Sequence, residues 1–250
     1  MGDVKAVPVE GKLSDQAFEM IKRLIIRCDL RPGNEVTEAQ LSVLTGLGKA
    51  PIRAALARLS QRGLVFSVQR RGYRIAPITV RDITNIYQLR LIIEPQIARL
   101  AAEKVIPPDV VERLRDLAAA GYEKEDGDST SDFLDKNRRF HLSIAQLTGN
   151  DRLIKLMEQL FEEMDRLFYV GLSIRNRSSE MRREHQALID AIINGEAERA
   201  EKVAAAEITT SQKMVIEAVL QESEFFDTNI LELDRVSLIT ANSYKSARLS

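Results

Sequence analysis

Residues 37–76 constrain the fold of this chain more than any other stretch, because two short helical patterns, a glycine-containing turn and a hairpin pattern follow one another there. Thr37 is suited to cap the first helix, and Gln40 follows at the capping-box spacing. Residues 45–48, Thr-Gly-Leu-Gly, supply a sharp reversal of the chain. Pro51 is suited to the first turn of the second helix, where its missing N–H is not needed. The stretch therefore predicts a helix-turn-helix.

A small hairpin is predicted after the second helix. Gly63 is suited to end that helix, because the residue just past a helix often adopts the left-handed conformation. Two β-rich runs follow, at residues 64–68 and 73–75. Residues 69–72, Gln-Arg-Arg-Gly, join them as a basic tip that contains glycine. Together these patterns predict a winged helix-turn-helix domain over residues 1–76.

The basic residues of this domain point to DNA. The first residues of a helix in the major groove reach guanine edges and phosphates, and a basic wing reaches the neighbouring backbone or minor groove. The alternative is a helical hairpin with a solvated cationic face. The residues expected to contact double-stranded DNA are Lys49, Arg53, Arg58, Arg70, Arg71 and Gly72.

The distribution of charge favours the DNA interpretation. The whole chain has a net charge of −1. Residues 1–76 hold 13 Lys and Arg against 7 Asp and Glu, a net charge of +6, whereas residues 77–250 have a net charge of −7. A basic segment favours contact with phosphates, and an acidic remainder avoids it.

Cysteine content and hydropathy indicate the compartment. Cys28 is the only cysteine, which excludes a disulfide framework and favours a reducing environment. It ends an apolar helical pattern that begins with Ser14 as a suitable N-cap, so we expect a small core residue there. No apolar run approaches the length of a membrane span. We therefore expect a cytoplasmic protein with no membrane-spanning segment.

From Thr79 onward the pattern is helical almost throughout. We predict an all-α bundle over residues 77–220, and hence a mainly α protein. Residues 221–250 have a mixed pattern that fits a strand, a short helix or a frayed tail. The six predicted helices of the bundle span about residues 79–104, 107–122, 130–148, 150–172, 178–194 and 196–220.

A few polar residues stand out within the bundle. His141 and His185 are the only histidines of the chain, and Asn137 lies one helical turn before His141. Arg90 lies in an apolar helical pattern, where a charge is unfavourable unless it is paired or bound to a ligand. Glu94, one turn further on, is the alternative partner.

The second helix and its ends resemble the signature of the GntR superfamily of transcriptional regulators. The stretch is GKAPIRAALARLSQRGLV, residues 48–65. Gly48 and Lys49 stand where that family usually has Ser and Arg, and lysine is a point charge rather than a bidentate fork. This difference concerns which operator sequence the second helix recognises, rather than whether it binds DNA. The matching residues are Pro51, Arg53, Ala55, Leu56, Leu59, Gly63, Leu64, Val65 and the wing's Arg71-Gly72-Tyr73.

The bundle resembles the FCD effector domain of FadR-type GntR regulators, and its six helices are similar to the VanR subgroup. The matching motifs are Arg90-x-x-x-Glu94, Phe140-His141, Thr148-Gly149-Asn150 and Glu184-His185. In many such domains four side chains hold a divalent metal. The corresponding residues here are Asn137, His141, His185 and Glu207, with Asn in place of Asp and Glu in place of His. Such a set suits zinc, nickel, iron or manganese. The alternative is a metal-free polar lining of an effector pocket.

The resemblance also implies a ligand-responsive regulator, a repressor by our interpretation, that binds an inverted-repeat operator as a homodimer. It implies a small organic acid as the effector, with a carboxylate that meets Arg90. The expected effector-binding residues are Arg90, Asn137, His141, Arg182 and His185.

Two other classes of protein are alternatives. One is a metalloenzyme on a helical bundle with an accessory DNA-binding domain, although the repeated Glu-x-x-His pairs of di-metal bundles are missing from the relevant helices. The other is an architectural DNA protein that dimerises through the bundle, which needs no internal Arg and His cluster.

Overall fold

A computed structural model describes residues 10–123 and 126–221. The chain forms two compact units, and the division lies between Ile78 and Thr79. We call these the N-terminal unit and the C-terminal unit. The predicted mainly α fold, a winged helix-turn-helix followed by a helical bundle, is confirmed. The undecided segment after Gln221 lies outside the described residues, as do residues 1–9.

The N-terminal unit has the predicted order of elements and one additional strand. Its first helix starts before Ser14, so the predicted N-cap is wrong. Cys28 lies beyond that helix at a φ of 59° and is only half-buried, so its predicted place in a helical core is also wrong. The elements are α1 (Glu10–Ile26), β1 (Glu35–Val36), α2 (Glu38–Thr45), α3 (Lys49–Gln61), β2 (Val65–Val68) and β3 (Gly72–Ile75).

Local signals in the sequence fix the ends of α2 and α3. The Thr37 Oγ1 accepts a hydrogen bond from the Gln40 N–H at 3.2 Å, and the Gln40 Oε1 accepts one from the Thr37 N–H at 2.9 Å. This is the predicted capping box. Gly46 and Gly63 end α2 and α3 at φ values of 71° and 70°, where a side chain would be strained.

The wing is a three-stranded antiparallel sheet with the order β1-β3-β2. Its predicted hairpin is confirmed, with Val65 opposite Ile75 and Val68 opposite Gly72. Helices α1 and α2 pack on α3, α3 packs on β2, and these elements share one apolar core. Its fully buried members are Ala17, Ile21, Ile25, Leu41, Ile52, Ala55, Leu56, Leu59, Val65 and Ile75.

The C-terminal unit contains the six predicted helices within residues 79–123 and 126–221. Helices α4 and α9 pack along each other, α7 packs on α6 and α9, and α8 packs on α9 and α5. None of the described helices is long and apolar enough to span a membrane. The helices are α4 (Val80–Ala102), α5 (Pro108–Ala118), α6 (Gly127–Leu147), α7 (Asp151–Ile174), α8 (Ser178–Ile193) and α9 (Ala197–Gln221).

Candidate functional site

Three helices of the C-terminal unit bring two histidines and one glutamate together. His141 lies on α6, His185 on α8 and Glu207 on α9, and all three side chains are buried. The Glu207 Oε1 lies 3.2 Å from the His141 Nε2 and 3.4 Å from the His185 Nε2. One ligand atom from each residue lies within 4.8 Å of the others. We call this set the His141–His185–Glu207 cluster.

Aromatic rings hold both imidazoles in place. The His185 ring stacks on Phe140 with 4.2 Å between centroids. The His141 ring stacks on Phe161 at 5.1 Å. The imidazole planes are therefore fixed by packing before any ligand arrives, as a preorganised site requires.

Several polar atoms of the cluster lack hydrogen-bond partners among the described residues. They are the Glu207 Oε2, the His185 Nε2 and the Asn137 Oδ1. Asn137 is buried one turn before His141 on α6. Buried polar atoms are nearly always satisfied by protein, water or an ion. Two of these atoms are oxygen acceptors and the third is an imidazole nitrogen, so a bound cation or a water molecule can satisfy all three.

The charge of Glu207 fits a cation site. Burial acts to raise the pKa of its carboxyl, but the two neighbouring imidazoles outweigh burial and hold this pKa well below its ordinary value. Glu207 is therefore ionised, and a buried carboxylate needs hydrogen-bond donors or a positive partner. Two imidazoles, a carboxylate and an amide oxygen form a donor set that suits zinc and its first-row neighbours.

Arg90 is paired with Glu94 inside the bundle. The Arg90 Nε donates to the Glu94 Oε1 at 2.5 Å, and the Arg90 Nη2 donates to the Glu94 Oε2 at 3.1 Å. The rings of Tyr87, Phe161 and Phe168 surround the guanidinium, which is 1 % exposed. Burial acts to lower the pKa of Arg90, but Glu94 outweighs burial and raises it. This pair is the alternative given by the sequence, in which Glu94 rather than a ligand is the partner of Arg90.

The Arg90–Glu94 pair adjoins the histidine cluster. The Glu94 Oε2 lies 3.9 Å from the His141 Nδ1, on the opposite side of the ring from Glu207. The Arg90 Nη1 has no hydrogen-bond partner within the described parts of the chain. The sequence indicated Glu94 as a partner of Arg90 and as part of a family motif. Its place beside His141 could not be found from sequence, because α4 and α6 meet only in the folded bundle.

A cavity of about 10 Å³ lies beside the cluster. A single water-sized species needs about that volume, so a small organic acid does not fit unless the surrounding side chains move. The lining of the cavity combines three polar residues with six apolar ones. The cavity is lined by Glu94, His141 and Glu207 and by Ile97, Ala98, Ile144, Met157, Leu188 and Ala204.

Arg182 is not brought to the cluster. Its side chain is exposed on α8 and lines a separate, open pocket of about 470 Å³ together with Tyr122 and Ser178. His185, three residues further along α8, is buried. Arg182 thus lies one turn before His185 but keeps its side chain outside the bundle, and the structure places only His185 at the cluster.

In the N-terminal unit, α3 presents two of the predicted DNA contacts. Lys49 begins α3 and is exposed. The Arg53 side chain is 68 % exposed, but it makes two hydrogen bonds of 2.9 Å to Glu38 on α2. Sequence analysis missed Glu38. No sequence signal marks this pair, because fifteen residues separate its members.

Arg58 differs from the other predicted contacts. Its guanidinium lies over the Phe18 ring at 4.2 Å and donates to the Asp15 Oδ1 at 2.5 Å, so it is directed toward α1. It follows Arg53 by five residues, which turns it about 140° around the helix axis. The structure thus separates Arg58 from the face that Lys49 and Arg53 share.

The wing tip combines a basic surface with a tight backbone. Arg70 is exposed at a φ of 64° in the turn, and the Arg71 Nη1 lies 3.6 Å from the Glu35 Oε1. Gly72 has a φ of 107°, and a Cβ there would come within 2.5 Å of the Val36 carbonyl oxygen. Close approach of β1 therefore explains the glycine without a role in DNA contact.

These two units define the class of two-domain DNA-binding regulators, in which a basic winged helix is followed along the chain by a helical domain that contains a buried polar cluster. The chain belongs to the GntR family of bacterial regulatory proteins, since the model for that family's DNA-binding domain matches residues 13–75 and the FCD domain model matches residues 85–210. The predicted family is confirmed.

Known relatives agree with this assignment. The HTH-type transcriptional regulator YdhC of Bacillus subtilis is 26% identical over 181 residues, 71% of this chain and 79% of its own length. The transcriptional repressor RspR of Escherichia coli is 21% identical over 216 residues, 86% of this chain and 93% of its own length. The relatives are transcriptional regulators, not enzymes, so the metalloenzyme alternative is set aside.

A solved structure shows the same fold. McbR/YncC of E. coli has a TM-score of 0.64 and 21% identity, and the match covers 82% of this chain and 97% of that one.

Proposed function

We propose that this protein is a transcriptional repressor whose DNA binding is controlled by a small organic acid bound at a divalent metal ion. Residues 1–76 would bind DNA, and residues 77–220 would bind the effector and form a homodimer in the cytoplasm. The DNA-binding role follows from the family. The repressor assignment is supported by RspR, a relative that is named as a repressor.

The observation that supports the metal is the set of unpartnered atoms in the His141–His185–Glu207 cluster. The two imidazoles and the Glu207 carboxylate would be three ligands, and the Asn137 Oδ1 would be the fourth. Three protein ligands plus a weak or exchangeable position is the pattern of a site that also binds a small molecule. The metal would supply a positive charge that anchors a carboxylate.

Arg90 would bind the effector from the other side of His141. Its Nη1 is buried and has no hydrogen-bond partner among residues 10–123 and 126–221, while Glu94 takes the Nε and Nη2. A carboxylate oxygen is the acceptor that an arginine N–H prefers. Because the cavity now holds only a water-sized species, the effector would have to displace side chains of α4, α6 and α9. Such a change can favour one arrangement of the DNA-binding units over another.

At the DNA, two winged helices related by a two-fold axis would contact an inverted repeat. Lys49 and Arg53 would enter the major groove, and Arg70 and Arg71 would contact the backbone or minor groove beside it. The exposure of these side chains on α3 and at the wing tip supports this arrangement.

Metal analysis of the native protein tests the proposal. Glu207→Gln keeps the shape of the side chain but removes its charge, and Glu201→Gln changes an exposed glutamate on the same helix. We expect about one metal ion per chain in the wild type and in Glu201→Gln, and loss of the metal in Glu207→Gln, because imidazoles and an amide hold a divalent ion weakly without a carboxylate.

A thermal-shift screen of small carboxylic acids completes the test. We expect stabilisation by at least one acid in the metal-loaded wild type, and no stabilisation after chelation. A native protein that contains no metal, yet is stabilised equally by the same acids with and without chelator, would contradict the proposed site.

A further inference from the structure

The exposed pair between α2 and α3 has an ordered geometry. The Arg53 Nε donates to the Glu38 Oε1, and the Arg53 Nη2 donates to the Glu38 Oε2, both at 2.9 Å. The Arg53 side chain is 68 % exposed and the Glu38 side chain 23 % exposed. Parallel two-point bonding restricts the plane of the guanidinium as well as its position. The arginine that faces solvent at the start of α3 is therefore oriented rather than free.

The carboxylate occupies only one edge of the guanidinium. An arginine has five N–H donors in one plane. Glu38 uses the donor on Nε and one donor on Nη2. This leaves both donors on Nη1 and the second donor on Nη2, and one N–H from each of these two nitrogens forms the end edge of the fork. A guanine accepts such an end edge through its O6 and N7 atoms. Glu38 and a base can thus bind the same Arg53 at once.

Glu38 is itself held in place. It is the first residue of α2, directly after the N-cap Thr37 and inside the capping box that Thr37 forms with Gln40. The hydrogen bond from Arg53 is the largest influence on its carboxyl and lowers its pKa, and the charge of Lys49 acts in the same direction. Glu38 therefore stays ionised close to the side chains that would meet DNA.

We propose that Glu38 is a specificity-determining residue that orients Arg53 for recognition of a base and weakens binding to unselected DNA. Orientation gives the operator a preformed two-point contact. The negative charge of Glu38 opposes phosphates wherever no base contact compensates for it. This inference rests on the proposed contact between Arg53 and the operator.

Two substitutions of Glu38 separate orientation from charge. Glu38→Gln removes the charge, so Arg53 is free to contact phosphates. We expect weaker operator binding, tighter binding to unselected DNA, and a loss of roughly tenfold or more in the ratio of the two affinities. Glu38→Asp keeps the charge but shortens the side chain. We expect it to lower operator affinity without raising affinity for unselected DNA.

The measurement is a fluorescence anisotropy titration of the full-length protein. One probe is a duplex that the wild type selects from a random-sequence library, and the other is sheared DNA of mixed sequence. Glu19→Gln is the matched control, because Glu19 is an exposed acid of α1 outside this pair. It removes the same charge from the same unit, and we expect the affinity ratio to stay at the wild-type value.

Arg53→Ala tests the operator contact of Arg53 separately from the role of Glu38. If Arg53→Ala binds the selected duplex as the wild type does, the contact between Arg53 and the operator is wrong, and the role of Glu38 fails with it. If Arg53→Ala loses operator binding but Glu38→Gln keeps the wild-type ratio, only the role of Glu38 is overturned. Equal weakening on both probes by Glu38→Gln also overturns it, because the proposed role requires tighter binding to unselected DNA in this variant.

Discussion

At the scale of single residues, the Arg90–Glu94 pair places the strongest demand on the bundle. Both charges are removed from water, and desolvation of an ion pair offsets much of its attraction. The two parallel hydrogen bonds and the rings of Tyr87, Phe161 and Phe168 stabilise the guanidinium in this position. Neither partner can be removed alone without leaving a charge or polar group buried and unpaired.

Arg90→Met tests the energetic weight of this pair. The substitution leaves the Glu94 carboxyl buried without its partner, so we expect the free energy of unfolding to fall by about 3–5 kcal/mol. Arg99→Met is the matched control. Arg99 lies on α4 like Arg90, but its partner Glu201 is on α9 and the pair lies at the surface, so this variant should lose no more than about 1 kcal/mol of unfolding free energy. Urea denaturation followed by circular dichroism measures both. Equal losses in the two variants would contradict the argument.

The two histidines show how far sequence predicts a site of this kind. Their scarcity and the family resemblance indicated both residues as candidates, and α6, α8 and α9 do bring His141, His185 and Glu207 together. Arg182 and Arg58 show the limit. Each follows a plausible charge pattern, but the direction of a side chain around its helix depends on neighbours such as Phe18 that are distant in sequence.

At the scale of elements, the wing combines signals that sequence shows with one that it does not. The hairpin of β2 and β3 was predictable from two β-rich runs and a glycine-containing turn. Strand β1 has only two residues, so it has no alternation to detect, and its pairing with β3 depends on the folded chain. Gly72 is the residue where the two meet, since its α-carbon faces the Val36 carbonyl.

Gly72→Ala should weaken the wing by two separate effects. The φ of 107° disfavours any side chain, and the added Cβ would lie 2.5 Å from the Val36 carbonyl oxygen. Gly33→Ala isolates the first effect, because Gly33 has a φ of 80° with open space around it. We expect a loss of about 1–2 kcal/mol for Gly33→Ala, and a further loss of roughly 1–3 kcal/mol for Gly72→Ala from the clash. Thermal unfolding compares the two variants. Equal losses of stability would show that β1 moves away from the added Cβ at little energetic cost.

At the scale of the whole molecule, charge divides along the chain as function does. The segment that binds DNA has a net charge of +6, and residues 77–250 have a net charge of −7. The sequence therefore predicted which part of the chain meets DNA, even though the chain as a whole is nearly neutral. It could not predict how many copies of the protein bind together, because that depends on a surface match between two folded chains.

The salt dependence of operator binding shows how many copies of the protein bind to the DNA. Each phosphate contact on duplex DNA contributes about 0.9 to the slope of log affinity against log salt concentration. If Arg70 contacts a phosphate and the protein binds as a homodimer, Arg70→Gln removes two contacts from each complex. The slope should then fall by about 1.8, whereas a bound monomer should lose only about 0.9.

Arg58→Gln is the control, because Arg58 is directed toward Asp15 and Phe18 and should leave the slope unchanged. Titrations at several salt concentrations with the selected duplex measure all three proteins. A loss of slope in Arg58→Gln would restore Arg58 to the DNA contacts, and an unchanged slope in Arg70→Gln would remove Arg70 from them. A fall near 1.8 ties the wing tip of each chain to its own half of a two-fold operator.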